Sequence, residues 1–508
     1  MRAMLLRVGT HAEYLAARDA LAAALSPCDR MRLASGDYAS AWEKMALLDL
    51  DPAADLLLSL YSQVAGRPAN DPTTYVRSFV LMLHLGHTSI QRWADDARAD
   101  AVLRCLLGTA EVPAASCHYD FVNRVTGDDP HMGELWPARK NSREVKAELR
   151  ARLRRGDKWV NWDDGDVRDL KERYWDGASC DAGRWELVLE RLHDLVAVRP
   201  SAEKYGLEPG ALTLSGDGSA LHVHSSPHGT RVLRDDEAAD GRTHRYTAPD
   251  ADVGWDSHEG VFFLGYTFYN ISWHSRELGI DLPVFVAQRA ASQHDALTAV
   301  SATAHMLDVD PSLRPRYFCH DSAADAAHLY QYMRHKGIVP IVDWNPRLTG
   351  KDPYAAHPVA SAIADADGNP LERLNGRGVP VCAAGHEMCR DGYDTSKMAT
   401  KYRCPYARGR VDSCEWWGRC TSSPYGRVVK TYDRTDYKLF GPVPHGSDRW
   451  RDIYKDRTGT ERVNNRVLND YKVHSLTCRN GPKHFFFVVM ACVNIHLDAW
   501  AKTSARAP

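Results

Sequence analysis

The 508-residue chain has almost no net charge, with 64 Lys and Arg against 66 Asp and Glu, a formal −2. That balance argues against a protein that coats nucleic acid with its whole surface, while leaving room for local patches. Long hydrophobic runs are scarce too. The most apolar late stretch, Phe485 to Val493, is about half of what a membrane-spanning helix needs, so no membrane partner is expected. Met1 to Thr10 have neither the long apolar core nor the small-residue cleavage site of a secretion signal, and the expected location is cytoplasmic. There is no internal repeat, no low-complexity tract and no paired Cys-x-x-Cys in the cysteine-rich region. In a cytoplasmic chain, the 12 cysteines read better as thiols or metal ligands than as a disulfide frame.

What is present fits a globular protein: 44% hydrophobic, 26% charged and 9% aromatic residues. The length favours two or three domains. Two stretches gather positive charge. One runs from Arg139 to Lys158 and contains the basic segment Ser142 to Arg155, which reads as a helix with Ser142 as N-cap. The other, Lys401 to Lys483, holds 18 Lys or Arg against 9 Asp or Glu. A basic carboxy-terminal third in a neutral chain suggests a polyanion partner on one face. A solvated helix face accounts for the first patch nearly as well.

The periodicity divides the chain. Residues 1 to about 130 read as helices, among them Glu13 to Leu25 and Tyr75 to Leu85, with Gly66-Arg67-Pro68 and Gly127 to Pro130 as punctuation. From about residue 210 the pattern becomes that of strands: Leu212 to Gly218 continuing through Ala220 to His224, then Val261 to Tyr269 and Leu282 to Ala287. A helix over Ser292 to Leu307, a strand from Arg316 to His320, a helix over Ala323 to His335 and a strand at Ile338 to Val342 follow. This order predicts an α/β domain with a mixed sheet flanked by helices. Residues 346 to 448, rich in Gly, Pro, Cys and charge, interrupt it before a helix from about Asp448 to Tyr471. The expected division is a helical amino-terminal unit (1–135), a connector with the basic helix (136–208), a catalytic domain (209–345 with 449–500) and a Cys-rich insertion (346–448).

Three acids stand out by position. Asp217 lies on the first strand between Gly216 and Gly218, where small neighbours let a substrate backbone approach. Asp321 follows the fourth strand, a frequent functional position in open sheets. Glu461 falls within the last helix, where Tyr454, Arg457 and Glu461 at i, i+3 and i+7 share a face. Phosphodiester cleavage needs one oxygen activated and another stabilised, a task for two divalent cations about 4 Å apart held by converging carboxylates. Mg²⁺ is satisfied by a few such groups and keeps several waters.

Position alone does not select these three among 66 acids; resemblance does. Ser215-Gly216-Asp217-Gly218-Ser219, Gly254-Trp255-Asp256-Ser257 with Gly265-Tyr266, Gln293-His294-Asp295, His320-Asp321-Ser322-Ala323-Ala324-Asp325 followed by Pro340 to Asn345, and Arg457-Thr458-Gly459-Thr460-Glu461-Arg462 occur in one order. That order, with Arg67-Pro68 and the helices to about Asn123, resembles the DDE transposases of bacterial insertion sequences. The resemblance implies an RNase H-like catalytic domain in which Asp217, Asp321 and Glu461 hold two Mg²⁺ (or Mn²⁺) ions. It further implies cleavage at the element's ends and transfer of the freed 3′-hydroxyl into target DNA. The implied partners are terminal inverted repeats and target DNA, bound by a homodimer in the bacterial cytoplasm at the nucleoid. Arg457 and Tyr454, with Arg462, are the implied DNA contacts. The family's usual Lys, seven residues after the Glu, is replaced by Leu468, leaving Arg466 or Lys472 to reach that phosphate. A helix salt bridge to Glu461 is the plainer role for Arg457, and core or cap roles are expected for His294 and Asp295.

The insertion concentrates Cys382, Cys389, Cys404, Cys414 and Cys420, with His386, inside 39 residues. Thiols crowded where no large core is expected suggest a structural Zn²⁺, with unligated buried thiols as the alternative. Trp416-Trp417 read as part of a small core there, or as rings that stack on an extruded base. Two other functions stay open: a catalytically inactive domesticated DNA-binding protein, disfavoured because all three acids are present, and an RNase H-like nuclease without strand transfer, which needs no long helical amino-terminal region.

Overall fold

The computed structural model describes residues 6–61, 69–127, 185–224, 248, 251–256, 259–293, 295–345, 373–375, 378–478 and 480–505. The expected basic helix Ser142 to Arg155, the Arg67-Pro68 pair and His294 lie outside them.

The amino-terminal helices are α1 His11–Ala23, α2 Pro27–Leu33, α3 Gly36–Leu47, α4 Ala54–Ser59, α5 Pro72–His84, α6 Ile90–Ala99, α7 Ala101–Leu107 and α8 Ala115–Thr126. Their starts follow from short polar side chains that accept orphan backbone N–H groups: Thr10 with Glu13 forms a capping box, and Ser26, Asp71, Ser89 and Asp100 cap α2, α5, α6 and α7. After α9 (Trp185–His193), a π-helical turn and α10 (Arg199–Tyr205) lead into the sheet.

The sheet holds β1 Thr213–His222, β2 Asp252–Asp256, β3 Val261–Ser275, β4 Ile280–Ala290, β5 Tyr317–His320 and β6 Val339–Val342. β1, β5 and β6 are parallel, while β3 runs antiparallel to β1, β2 and β4. The chain is therefore an α/β protein with a mixed sheet flanked by helices, as expected. The strand expected over 212–224 is β1, Thr213–His222, and β2, which the periodicity did not show, pairs with the start of β3.

Alternation along the strands feeds two cores. Leu214, Tyr269, Ile271, Phe285 and Phe318 face α11 (Asp295–Val309) and α12 (Ala327–His335). On the other face, Leu221, Tyr266, Phe268 and Val286 join a larger core. That core includes the amino-terminal helices and the last helix of the chain. The insertion contributes β7 Arg373–Leu374, β8 Pro380–Val381 and a three-stranded antiparallel sheet of β9 Cys389–Asp394, β10 Ala399–Arg403 and β11 Val428–Tyr432.

The expected continuous helix over 448–471 is broken. α13 (Asp448–Tyr454) gives way to a 3₁₀ turn at Lys455–Arg457, α14 spans Thr458–Asn465, and a π-helical turn covers Arg466–Asp470. The cause is tertiary. A Cβ at Gly459 would stand 2.9 Å from an Asp281 carboxylate oxygen, so α14 approaches the sheet closely, and Thr460 Oγ1 donates to Ser215 O at 3.0 Å.

α15 (Gly481–Ser504) is buried along most of its length, and Phe79 of α5 packs edge-on against its Phe486 and Phe487. Among the described residues it is the one helix long and apolar enough to cross a membrane, yet 89% of its apolar window is buried inside the protein.

Candidate active site

β1 carries Asp217 in a run of small residues, Ser215 to Ala220, which leaves the strand uncovered at its centre. Successive side chains on a strand point to opposite faces. Gly216 and Gly218 accordingly turn toward the α11 side and Asp217 toward α14. On the first side the fit is tight: a Cβ at Gly216 would meet the Tyr269 hydroxyl, and one at Gly218 would stand 2.6 Å from Asp295 Oδ1. On the second, Asn464 of α14 donates to Asp217 Oδ2 at 3.5 Å and accepts from Asn270 at 3.2 Å.

Asp321 follows β5, parallel to β1, and caps a short 3₁₀ turn by accepting from Ala323 N at 3.0 Å. Beneath it Tyr269 and His320 are buried and hydrogen-bonded at 3.0 Å, and burial pushes the His320 imidazole down to about 3, so this ring is neutral. Glu461 lies in the first turn of α14 and is about half exposed. Arg457 donates to Glu461 Oε1 at 2.6 Å, the plainer role foreseen for it, and its guanidinium lies 5.8 Å from the Tyr454 ring centre.

These groups share one electrostatic field. Half-buried Asp217 is pushed up to about 8, first by desolvation, then by the charges of Asp321 and Asp295, with Arg457 opposing and Glu461 adding. Asp295 is pushed up to about 6 by burial and by Asp321. Four carboxylates from β1, the end of β5, α11 and α14 thus lie near one another, with Arg457 as the cation among them. Asp295 was expected in a core or cap role; it opens α11, and it is also the fourth acid of this group. Its place after the last antiparallel strand, at the end of the sheet where Asp321 lies, was the signal available in the sequence.

Of the remaining expected DNA contacts, Arg462 and Arg466 are engaged with protein partners. Arg462 donates to Asp281 at 2.7 and 2.8 Å, and Arg466 contacts Asp498 and Asp470. Lys472, exposed and at φ 53°, extends its ammonium over Gly86. Leu468 lines a groove of about 700 Å³ that opens beside Gly218 and Asp295.

Among the described residues, no three His, Cys, Asp or Glu side chains converge tightly enough to hold a metal as they stand. In the insertion, Cys420 has Cys404 and Cys414 as electrostatic neighbours, and burial with these neighbours pushes its thiol up. Cys389 lies across from Arg403 in the β9–β10 register, and Cys382 and His386 meet through backbone atoms at 2.9 Å. The segment builds an apolar core from Leu374, Met388, Tyr402, Val429, Leu439 and Phe440. Its fold therefore has a source other than a metal. Trp416 and Trp417 take no part in that core, contrary to the first of the two expectations for them: they are 42% and 41% exposed, and Trp417 leans on Tyr406. Their loop lies beyond the three-stranded sheet, which supplies the core in their place.

The fold and the acid cluster together define an α/β protein with a polar, carboxylate-rich site at the ends of its parallel strands. A scan against protein-family models gives no match, and no curated protein matches the chain.

Proposed function

We propose that this chain is a DDE-type transposase with an RNase H-like catalytic domain, acting on the ends of an insertion sequence. The observation that carries the reading is the convergence on Asp217 of the charges of Asp321, Asp295 and Glu461, which come from three other elements. The sheet supports it: β4, β3, β1, β5 and β6 lie side by side, and β3 alone opposes the rest.

The donor set fits hard divalent cations. It offers carboxylate oxygens only, and Asp217 is raised by burial and then by the charges of Asp321, Asp295 and Glu461, a repulsion that positive charge relieves. Asp217, Asp321 and Glu461 are the residues that would hold two Mg²⁺ or Mn²⁺ ions, with Asp295 behind them. When bound, such ions supply activation of the attacking oxygen and stabilisation of the leaving one.

The chain's own groups do the rest. The small residues of β1 admit the DNA backbone. Arg457, held by Glu461 and Tyr454, balances the charge of a phosphate entering the cluster. Asn464 and Ser215, bonded to β1 and α14, fix the distance between Asp217 and the Glu461 helix. Terminal inverted repeats and target DNA are the proposed partners, bound by a homodimer so that two ends are joined together. The test is incubation of the purified chain with DNA carrying its element's ends, with Mg²⁺ or with EDTA. Strand cleavage and joining that require the metal are expected; metal-independent or absent cleavage rejects the reading.

A further inference from the structure

Where the insertion returns to the sheet it leaves a row of rings. Trp344 stands two residues after β6 and packs against the insertion's apolar core. His445 lies on it with centroids 3.7 Å apart and planes at 8°. Trp450 of α13 follows at 4.4 Å from His445, and Tyr454 stacks on Trp450 at 4.5 Å with planes at 14°. The Arg457 guanidinium, 5.8 Å from the Tyr454 ring centre, ends the row and donates to Glu461. The row thus leads from the insertion to the cation of the acid cluster.

The sequence builds this row from short spacings. Trp450 and Tyr454 are four apart in sequence on α13 and so share a face. Ser447 caps that helix, accepting from Trp450 N at 3.2 Å. Gly446 stands at φ 68°, a left-handed conformation that glycine adopts without strain, and folds His445 back onto the first turn of α13. Burial pushes the His445 imidazole down to about 4, so the ring stacks as an uncharged plate. The row is anchored on two sides. Lys438 of the insertion donates to Asp325 Oδ2 at 2.6 Å, and the same oxygen accepts from Asn345 N, next to Trp344, at 2.8 Å. Trp450 is buried against Tyr317, Cys319 and Ile341 of β5 and β6, and β5 is the strand that leads to Asp321.

We infer that the insertion acts on the chemistry through this row: it sets the position of Arg457 by way of Tyr454, with His445 and Trp450 as positioning residues. The inference rests on the proposed function, which brings a phosphate to Arg457, and adds the insertion to the working site. The need for such a row lies in the broken helix. A 3₁₀ turn at Lys455–Arg457 separates α13 from α14, so Arg457 lacks the backbone support of a continuous helix. The Tyr454 ring beside it supplies a second constraint. Precision matters here, since a misplacement of about 1 Å is enough to cost about a hundredfold in rate.

The test uses the full chain and His445, whose ring sits between the two indoles. His445→Ala opens the row, and His445→Phe keeps a planar ring in it. Without DNA, amide hydrogen exchange over 455–461 should rise about tenfold or more in the alanine variant and return close to wild type in the phenylalanine variant, with α15 unchanged in both. Single-turnover cleavage of DNA carrying the element's ends, with Mg²⁺, should slow by about 10–100-fold in His445→Ala, and His445→Phe should recover most of the rate. End binding in Ca²⁺ should be kept. Added to Arg457→Ala, His445→Ala should slow cleavage by no more than about twofold, because the ring acts through the arginine; a merely structural role would cost the same in both backgrounds. Unchanged exchange over 455–461, a rise spread over the whole chain, or a full second loss beside Arg457→Ala overturns the inference. Local exchange that responds as expected in a chain that cuts no DNA would uphold the row and reject the transposase reading. Metal-dependent cutting at the wild-type rate in His445→Ala would do the reverse.

Discussion

Asp295 occupies the space that a side chain at Gly218 would fill: a Cβ there would stand 2.6 Å from its Oδ1 and 3.0 Å from its Cγ. The glycine beside the first acid is thus the opening through which a carboxylate from α11 approaches Asp217 across the strand. Gly218→Ala should push Asp295 aside, at about 1–3 kcal/mol of stability for overpacking. Because it displaces a group of the acid cluster, cleavage should fall by about a hundredfold. Thermal unfolding and single-turnover cleavage of the same variant check both parts.

Asp217→Ala, Asp321→Ala and Glu461→Ala should each reduce DNA cleavage to background while DNA-end binding is retained. Each removes charge from the site without opening a large cavity. Asp295→Asn should be milder, a loss of about 10–100-fold, as expected of a group that supports the other three. Gel-based cleavage beside a binding assay in Ca²⁺ distinguishes these outcomes. Wild-type cleavage by any alanine variant removes that acid from the assignment.

The raised carboxyls give a pH dependence with a definite sign. Asp217 and Asp295 have an ordinary value of 3.8 and stand at about 8 and about 6 in the fold. Between the ordinary and the raised value the folded state binds more protons than the unfolded state, so stability falls as pH rises. The Asp295 share is lost from about pH 4 to about 6, and the Asp217 share continues to be lost up to about 8. Divalent cations held by these carboxylates should offset the loss. The rise in melting temperature on adding Mg²⁺ to the EDTA-treated protein should therefore be larger at pH 8 than at pH 5. An equal rise at both values would separate the metal from these acids.

Periodicity made legible which elements carry the candidate acids, while resemblance, not position, singled those acids out. Asp217 sits within a strand flanked by glycines, and Asp321 ends a short apolar run. The break at Lys455–Arg457 was not legible, because α14 is positioned by Gly459 on Asp281 and by Thr460 on Ser215, contacts from nearly two hundred residues or more away in sequence. Strand β2 escaped notice because its five residues, Asp252 to Asp256, include a glycine and two acids and gain order only by pairing with β3. Trp416 and Trp417 were read as core from composition, whereas the three-stranded sheet draws its core from Tyr402, Val429 and Phe440. Asp295 looked like a helix cap, and only the fold brings it against Gly218.

The amino-terminal helices are tied to the last helix through an ion pair. Lys44 of α3 is buried, yet its ammonium lies 2.5 Å from Asp498 of α15 and donates to the Tyr471 hydroxyl at 3.3 Å. Asp498 also accepts from Arg466 and from Tyr471, which follow directly on the helix that carries Glu461. Burial pulls the Lys44 ammonium down, but Asp498 opposes this, and Lys44 with Arg466 and Tyr471 holds the Asp498 carboxyl below its ordinary value. The two ends of this pair are not equivalent. Asp498→Asn removes the anion that Lys44 and Arg466 share and leaves those two cations facing each other, with Asp470 on Arg466 alone, which should destabilise by about 3–5 kcal/mol. Lys44→Met removes one cation, leaves Asp498 bonded to Arg466 and Tyr471, and fills the space with an unbranched apolar chain, at about 1.5 kcal/mol or less. In the double variant Lys44→Met with Asp498→Asn, the loss should be smaller than for Asp498→Asn alone, because the methionine relieves the stranded charge. Urea unfolding of the three variants measures this order, and equal losses for the two single variants would show that the pair is not what joins α3 to α15.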